Sequence, residues 1–335
     1  MRYLPIEKIH DDAVLAMPVY SGNGSILLNA NTVLKRSYLT KLMGLGFAGL
    51  YIYDEISEDI TVEALVSEEL RIETLKALSS LNIDTCRLMA HSIVDELLKK
   101  PHASIDMVNV ASFDNYTYTH SLDVAVLSVM IGLASGLNYD QLKRLSEGAL
   151  LHDIGKMNIS LDILNKNGPL TEEEMAVVRL HPADGYQMIK GDSTIPATVK
   201  EAVHAHHENE DGSGYPRGLI GNKIPSFARI IHVCDVYDAL TSNRIYRRAI
   251  NPADAMEYLM SNCYTMFAVK YVKKLMEYVT PYPTGITVEL SDGRHAIVVR
   301  QNNTHYLRPC VRLLDTREEI DLMKVLNLTI IQIVI

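Results

Sequence analysis

His152-Asp153-Ile154-Gly155-Lys156 closes an apolar helix running from Gln141 to Leu151, and it is answered further along by His206-His207-Glu208 and Asp211-Gly212-Ser213-Gly214-Tyr215-Pro216. Imidazoles and carboxylates at this density form a ligand set for a hard or borderline metal such as iron, manganese or zinc, and without one they are costly to bury together. Neighbours on a helix point about 100° apart, so His152 and Asp153 can share an ion only at a helix end or break. Gly155 supplies that break and leaves Lys156 free to point back toward the site. Taken alone, the pair reads more readily as a C-terminal turn in which His152 complements the helix dipole than as a metal site.

Outward from this stretch the pattern stays helical. From about Val62 to Val279 apolar residues recur at three and four, and Thr171-Glu172-Glu173-Glu174 has the form of a capping box. His120 opens a helix whose apolar face is Leu122, Val124, Ala125, Val126, Val129 and Met130; alone, such a histidine is more often a satisfied core residue. Asp235 ends the apolar strip Ala228-Arg229-Ile230-Ile231-His232-Val233-Cys234, where an acid needs a partner or a metal. His120, His152-Asp153 and Asp235 together make the H…HD…D pattern of metal phosphohydrolases. His181, before Pro182, and the tandem His206-His207 add three nitrogens, enough for a second ion, and Asp153 could bridge the two. His204 and His232 read as structural. His10, His91, His102, His295 and His305 are scattered outside the cluster.

The loop Asp211 to Gly218 places glycines where the backbone turns sharply, and Tyr215 could stack on a base or bond a phosphate; an ordinary turn has the same composition. Downstream, Asp238 to Arg248 puts Arg244, Arg247 and Arg248 within about one and a half helical turns. Guanidinium groups grip phosphate through paired hydrogen bonds, although such runs are often solvated faces. Nine residues past Asp235, Arg244 can lie on the metal side of a continuing helix.

The flanks differ. Residues 3 to about 60 carry short apolar runs around the turn signal Ser21-Gly22-Asn23-Gly24, with a short helix over Ser37 to Leu45 and a last strand at Gly49 to Tyr53. After Pro281, runs such as Ile286 to Leu290, Ala296 to Val299 and Leu328 to Ile331 flank turns at Ser291-Asp292-Gly293 and Gln301-Asn302-Asn303. The expected fold is therefore mainly α. A small N-terminal β/α module (1–60) and a helical connector (61–105) lead into an all-helical catalytic domain (106–280), and a β-rich module (281–335) follows.

Composition bounds the function. Among 335 residues the net charge is -9, which argues against a nucleic-acid polymer as partner, since that surface needs a basic field. No stretch approaches the roughly 20 apolar residues that span a bilayer, and Met1 to Asp12 lacks an apolar signal core, so a cytoplasmic protein without membrane contact is expected. Cys86, Cys234, Cys263 and Cys310 form no CxxC pair and read as reduced thiols.

Together these residues resemble the HD-GYP family, the cyclic di-GMP phosphodiesterases of the HD metal-hydrolase superfamily. The likeness covers roughly Asp114 to Ala255, through HDIGK (152–156), HHENEDGSGYPRGL (206–219) and ARIIHVCDVYDALTSNRIYRRA (228–249). It implies an HD-type helical core in which His120, His152, Asp153, His181, His206, His207 and Asp235 hold two divalent ions, iron or manganese, with Asp153 bridging. It implies that Lys156 binds or polarises the scissile phosphate, that Gly214, Tyr215 and Pro216 shape the pocket, and that Arg244 and Arg247 hold phosphates, with Asp238 also on the substrate side. Some members hold a third metal through a glutamate that is Tyr116 in this chain, which favours two ions. The activity implied is hydrolysis of cyclic di-GMP to pGpG or GMP. The alternatives are an HD hydrolase acting on another nucleotide, and a cyclic di-GMP receptor without turnover that signals to a partner. The helical segment Val62 to Ile105 offers a face for a homodimer, or for simple packing on its own core.

Overall fold

The computed structural model describes residues 1–21, 25–62, 64–100, 116–166, 168–242, 250–302 and 305–334. The boundary expected at 105/106 and the tip of the turn at 22–24 lie outside these residues.

The first module contains β1 (Arg2–Pro5), β2 (Val14–Leu15), β3 (Val19–Tyr20), β4 (Ile26–Leu28), α1 (Arg36–Gly44) and β5 (Gly49–Tyr53). β5 lies between β1 and β2 in an antiparallel sheet, with Tyr3 opposite Tyr51 and Leu15 opposite Ile52, while β3 and β4 form a separate pair. Ile6, Leu15, Leu34, Leu39 and Leu50 are fully buried between this sheet and α1.

Two helices follow, α2 (Glu68–Ser79) and α3 (Ile83–Leu98), each started by a side chain that accepts a backbone N–H: Ser67 from Leu70 and Asn82 from Thr85. Leu81, in left-handed backbone (φ 52°), turns the chain between them. Their apolar stripes, including Leu70, Leu78, Ala90, Ile93 and Leu97, join the central core, so this segment spends its hydrophobic face on its own chain. Arg87 of α3 also donates to the buried carboxylate of Glu147 at 2.9 Å.

The core is built on α4 (Tyr116–Ala134), whose described residues from Thr119 to Gly132 are buried on every side, as a helix with no polar face must be. Around it lie α5 (Tyr139–Leu151), α6 (Leu161–Leu164), α7 (Glu172–Val178), α8 (His181–Ile189), α9 (Ala197–Ala205), α10 (Ser226–Thr241), α11 (Pro252–Ser261) and α12 (Val269–Tyr278). Complete capping boxes start α5 (Asn138 with Gln141) and α7 (Thr171 with Glu174), the second as the sequence predicts. α5 and α10 both pack on α4, and α9 packs on α5 and α10, so the ends of these helices meet around one polar centre.

The last module is an antiparallel sheet of β6 (Thr287–Leu290), β7 (His295–Arg300), β8 (Cys310–Leu313), β9 (Glu319–Asp321) and β10 (Ile330–Ile333), in the order β10-β6-β7-β8-β9. It does not stand apart from the first module. Tyr3 N–H donates to the Gly285 carbonyl at 2.9 Å, and Arg312 of β8 reaches both Asp59 oxygens at 2.6 Å and the Ile56 carbonyl at 2.8 Å.

Candidate metal centre

α5 ends at Leu151, and the chain tightens into a 3-10 turn over Ile154–Asn158. This change of helical pitch lets adjacent side chains converge, with His152 Nε2 3.4 Å from Asp153 Oδ2. Gly155 serves this turn differently from the sequence expectation. It is absent from the positive-φ glycines, but a Cβ there would overlap the His181 carbonyl, so the position demands a missing side chain where α8 presses against the turn.

α10 grips the α4 histidine from one face. Asp235 and Asp238 lie one turn apart, and His120 places Nε2 3.0 Å from Asp235 Oδ1 while Nδ1 donates to Asp238 Oδ2 at 2.6 Å. Asp238, expected on the substrate side, is 1% exposed and orients the ring of His120.

Three more histidines are fixed in one tautomer by carbonyls at the ends of helices α5, α7 and α9. Nδ1 of His152, His181 and His206 donates to the carbonyl three residues earlier, those of Ala149, Val178 and Val203, at 2.7, 2.7 and 2.8 Å. Each Nε2 is thus a bare lone pair. His181 Nε2 and His206 Nε2 nonetheless lie 3.1 Å apart, two acceptors that repel each other unless a cation sits between or beside them. Asp153 Oδ1 is 3.2 Å from His181 Nε2, and both Asp153 Oδ1 and His152 Nε2 are buried without a hydrogen-bond partner among the described residues.

The electrostatics agree with a metal-ready donor set. Burial holds the His152 imidazole below its ordinary pKa; burial and neighbouring imidazoles hold His206 well below its own, and burial, outweighing Asp235, does the same for His207. Burial alone would raise Asp153, but Lys156, His152 and His181 outweigh it and keep the carboxyl well below the usual range. His120 goes the other way: burial lowers it, yet Asp235 and Asp238 push it up to about 9. Donor atoms of His120, His152 and Asp153 lie within 4.8 Å of one another, as do those of His181, His206 and His207. Asp153 stands at the junction, with Oδ2 toward His120 and Lys156 and Oδ1 toward His181 and His206. The lowered imidazoles of His152, His206 and His207 beside the ionised carboxylates of Asp153 and Asp235 fit borderline divalent cations well.

The glycine-rich loop covers this centre. Gly214 passes so close to the His207 carbonyl that a side chain would overlap it, and Tyr215 stacks on His207 with ring centroids 4.8 Å apart. The Tyr215-Pro216 bond is cis. Glu208, 1% exposed, anchors the loop by accepting the N–H groups of Arg217 and Leu219 at 2.7 and 2.8 Å. Lys156 bonds to Asp153 while its side chain keeps 23% exposure.

Arg244 and Arg247 lie outside the described residues. α10 ends at Thr241, where Ser242 turns extended (φ -99°, ψ 143°). Ser242 Oγ donates to Asp238 Oδ1 at 3.2 Å. His204 stacks on Tyr186 at 4.5 Å, as a structural residue. His232, expected to be structural as well, is 4% exposed and has a donor atom within 4.8 Å of His207 and Asp235. Its spacing of three from Asp235 carries that signal. Arg179 was not singled out either; its exposed guanidinium stands 5.7 Å from the centre of the Tyr215 ring.

Residues 93–266, just over half of the chain, match the family described as HD domain, and the chain belongs to that family. Among curated proteins it is similar to Cyclic di-GMP phosphodiesterase PA4108 of Pseudomonas aeruginosa, 38% identical over 237 residues that cover 69% of this chain and 56% of the relative. It is similar to Cyclic di-GMP phosphodiesterase response regulator RpfG of Xanthomonas campestris pv. campestris, 40% identical over 142 residues (42% of this chain, 38% of the relative). It is also similar to 3'3'-cGAMP-specific phosphodiesterase 1 of Vibrio cholerae, 37% identical over 169 residues (50% and 38%). The chain thus spans between 38% and 56% of the length of these relatives. Bd1817, a HDG"Y"P protein from Bdellovibrio bacteriovorus, shares the fold at a TM-score of 0.51 and 17% identity, covering 82% of this chain and 97% of that one.

Proposed function

We propose that this protein is a metal-dependent phosphodiesterase that opens a cyclic dinucleotide, cyclic di-GMP in the first instance, to pGpG or GMP. The observation carrying this reading is the 3.1 Å approach of two lone-pair nitrogens, His181 Nε2 and His206 Nε2, beside the buried Asp153 Oδ1. His120, His152, Asp153 and Asp235 would hold one divalent ion and His181, His206 and His207 a second, with Asp153 shared. Imidazole and carboxylate donors suit iron or manganese. Two such ions supply a water acidic enough to act as nucleophile near neutral pH and neutralise charge on the phosphate oxygens.

The chain's own residues do the rest. Lys156, partly exposed beside Asp153, exchanges its carboxylate partner for a phosphate oxygen of the substrate. Tyr215, its phenol kept protonated by burial and the nearby Asp235 and Asp153 carboxylates, walls the site and leaves a donor for the diester. Arg179 supplies a cation at the rim, and Arg244 and Arg247 belong to the same phosphate-binding set. Leu78, Leu81, Tyr118, Leu151 and Met157 line an apolar pocket against Asp153 and Lys156, suited to a purine face. No described helix is long and apolar enough to cross a membrane, and a soluble nucleotide substrate accords with action in the cytoplasm.

The test is incubation of the iron- or manganese-loaded protein with cyclic di-GMP, followed by chromatography. Guanylate products support the reading, and intact substrate with either metal overturns it. The Vibrio relative favours a second reading, 3'3'-cGAMP as substrate. Parallel kcat/KM measurements on both dinucleotides decide between them.

A further inference from the structure

Glu147 lies on α5, one and a half turns before His152, with 2% of its side chain exposed. Burial raises its carboxyl above the usual range, and the Arg87 guanidinium, donating to it through Nε at 2.9 Å, opposes the rise. A buried ion pair adds little net stability over apolar side chains of the same volume, because both charges give up water. Its distinctive property is directional, since the guanidinium donors are fixed in one planar fork.

That fork has a second target. Nη2 of Arg87 donates to Thr194 Oγ1 at 2.9 Å, and Asp192 Oδ1 holds Thr194 in place by accepting its N–H at 2.8 Å and its hydroxyl at 2.6 Å. Nη1 closes on Asp84 of α3 itself at 3.4 Å. Thr194 stands between the end of α8 at Ile189 and the start of α9 at Ala197. One side chain therefore bridges α5, which runs into His152 and Asp153, and the turn that launches α9, which runs into His206 and His207. The two helices touch where a Cβ on Gly148 would meet the Ala202 Cβ at 3.2 Å, and beyond their ends the His152 and His206 rings meet edge to face with centroids 5.0 Å apart. Arg87 lies ahead of residues 93–266, so the bridge comes from the connector and not from the stretch that matches the HD domain.

We propose that Arg87 is a positioning residue: by locking α5 against the start of α9, it sets the spacing between the first ion's donors, His152 and Asp153, and the second ion's, His206 and His207. The assignment rests on the metal-centre reading of those residues. Paired ions act at a separation of about 3.5 to 4 Å, and a metal site tolerates only about 0.5 Å of misplacement in its ligands. Apolar packing between α5 and α9 has no preferred direction. The two bonds of Arg87 have one, so a slide of either helix along the other breaks one of them. Because Arg87 belongs to α3, a shift of the connector reaches both ligand segments at once.

The experiment uses the full chain loaded with manganese(II). Equilibrium dialysis gives the ion affinities, electron paramagnetic resonance gives the exchange coupling between the ions, and thermal melts give stability; affinity and coupling are read below the melting transition. Arg87→Met strands the buried Glu147 carboxylate and should melt lower, whereas the double variant Arg87→Met/Glu147→Leu removes the stranded charge and should melt near wild type. The double variant should nonetheless bind the second ion roughly tenfold more weakly, the low end for groups that orient ligands from outside, and show altered spin coupling. Wild-type affinity and coupling in the double variant would make Arg87 a stabilising residue only and overturn the proposal, leaving the metal centre standing. Wild-type protein that takes up fewer than two ions, or two without coupling, overturns the metal-centre reading and the proposal with it. If neither Arg87 variant folds, Thr194→Val decides, since it removes the Nη2 acceptor and spares the Glu147 pair: altered coupling supports the assignment, and unchanged coupling is fatal to it.

Discussion

Two clusters of charge in this molecule differ in whether the fold completes them. At Arg312, which joins the first and last modules, the guanidinium meets both Asp59 oxygens at 2.6 Å, the Ile56 carbonyl and the carboxylate of Glu319. Around Asp153 a similar density of polar groups ends in bare nitrogens that face one another and in a carboxylate oxygen with no hydrogen-bond partner among the described residues. The first cluster is scaffold. The second is stable only with something added, because burial removes water as the alternative partner. A polar cluster that its own fold leaves incomplete thus marks a ligand site more surely than density of charge does.

The largest expected effect breaks the incomplete cluster at its junction. Asp153→Asn should lower cyclic-dinucleotide turnover by at least roughly a thousandfold, because the shared donor is lost along with the ions it holds. Metal content measured beside turnover checks the cause: full occupancy with activity lost would separate Asp153 from metal binding. Next in size is removal of the metal itself. Free ion at a thousand times its dissociation constant stabilises the fold by about 4 kcal/mol, so chelation should lower the melting temperature, as calorimetry can measure. An unchanged melt would place the Asp153 cluster with the Arg312 cluster, as self-sufficient scaffold.

Asp238 sharpens the comparison because it is buried behind His120 and bonds to its ring. Asp238→Asn keeps the shape but loses the charge that holds His120 Nδ1–H, and metal affinity should fall by roughly 10- to 100-fold. KM for the dinucleotide, measured at saturating metal, should stay near the wild-type value. A rise in KM with metal affinity intact would instead return Asp238 to a substrate role.

These cases explain what the sequence could and could not reveal. The helical middle was legible because its apolar residues follow the helical period, and the strands at Gly49–Tyr53 and His295–Arg300 because turn residues bracket them. β8 and β9 were not read as strands: they are short, and Arg312 and Glu319 interrupt any apolar run. The convergence of His120, His152, Asp153, His181, His206, His207 and Asp235 is a tertiary event, but buried donors far apart in sequence leave few other outcomes. The placement of His232 and Asp238 beside the centre was available in principle, since each lies three residues from Asp235 on one face of α10, yet neither spacing says which neighbour the face meets. Gly155 needs its missing side chain because of His181, a partner that appears only after folding.

The smallest expected effect belongs to the completed cluster, and its pH dependence has a definite sign. Hydrogen bonding to Arg312 lowers the Asp59 pKa to about 2, against 3.8 for an unperturbed aspartate. A carboxyl with a depressed folded-state pKa contributes stability that is fully present above the unfolded value and is lost as pH falls through the folded one. Because 65% of the Asp59 side chain is exposed, solvent screening limits the pair to about 1 kcal/mol or less. Arg312→Met should therefore lower stability modestly at neutral pH, and denaturant titrations should find its deficit against wild type shrinking as pH falls from near 4 toward 2. A deficit of several kcal/mol, or one independent of pH across that window, would mean that Arg312 acts through the carbonyl of Ile56 and its packing rather than through charge. The two β modules would then be coupled by burial, and only the incomplete cluster would respond strongly to what binds it.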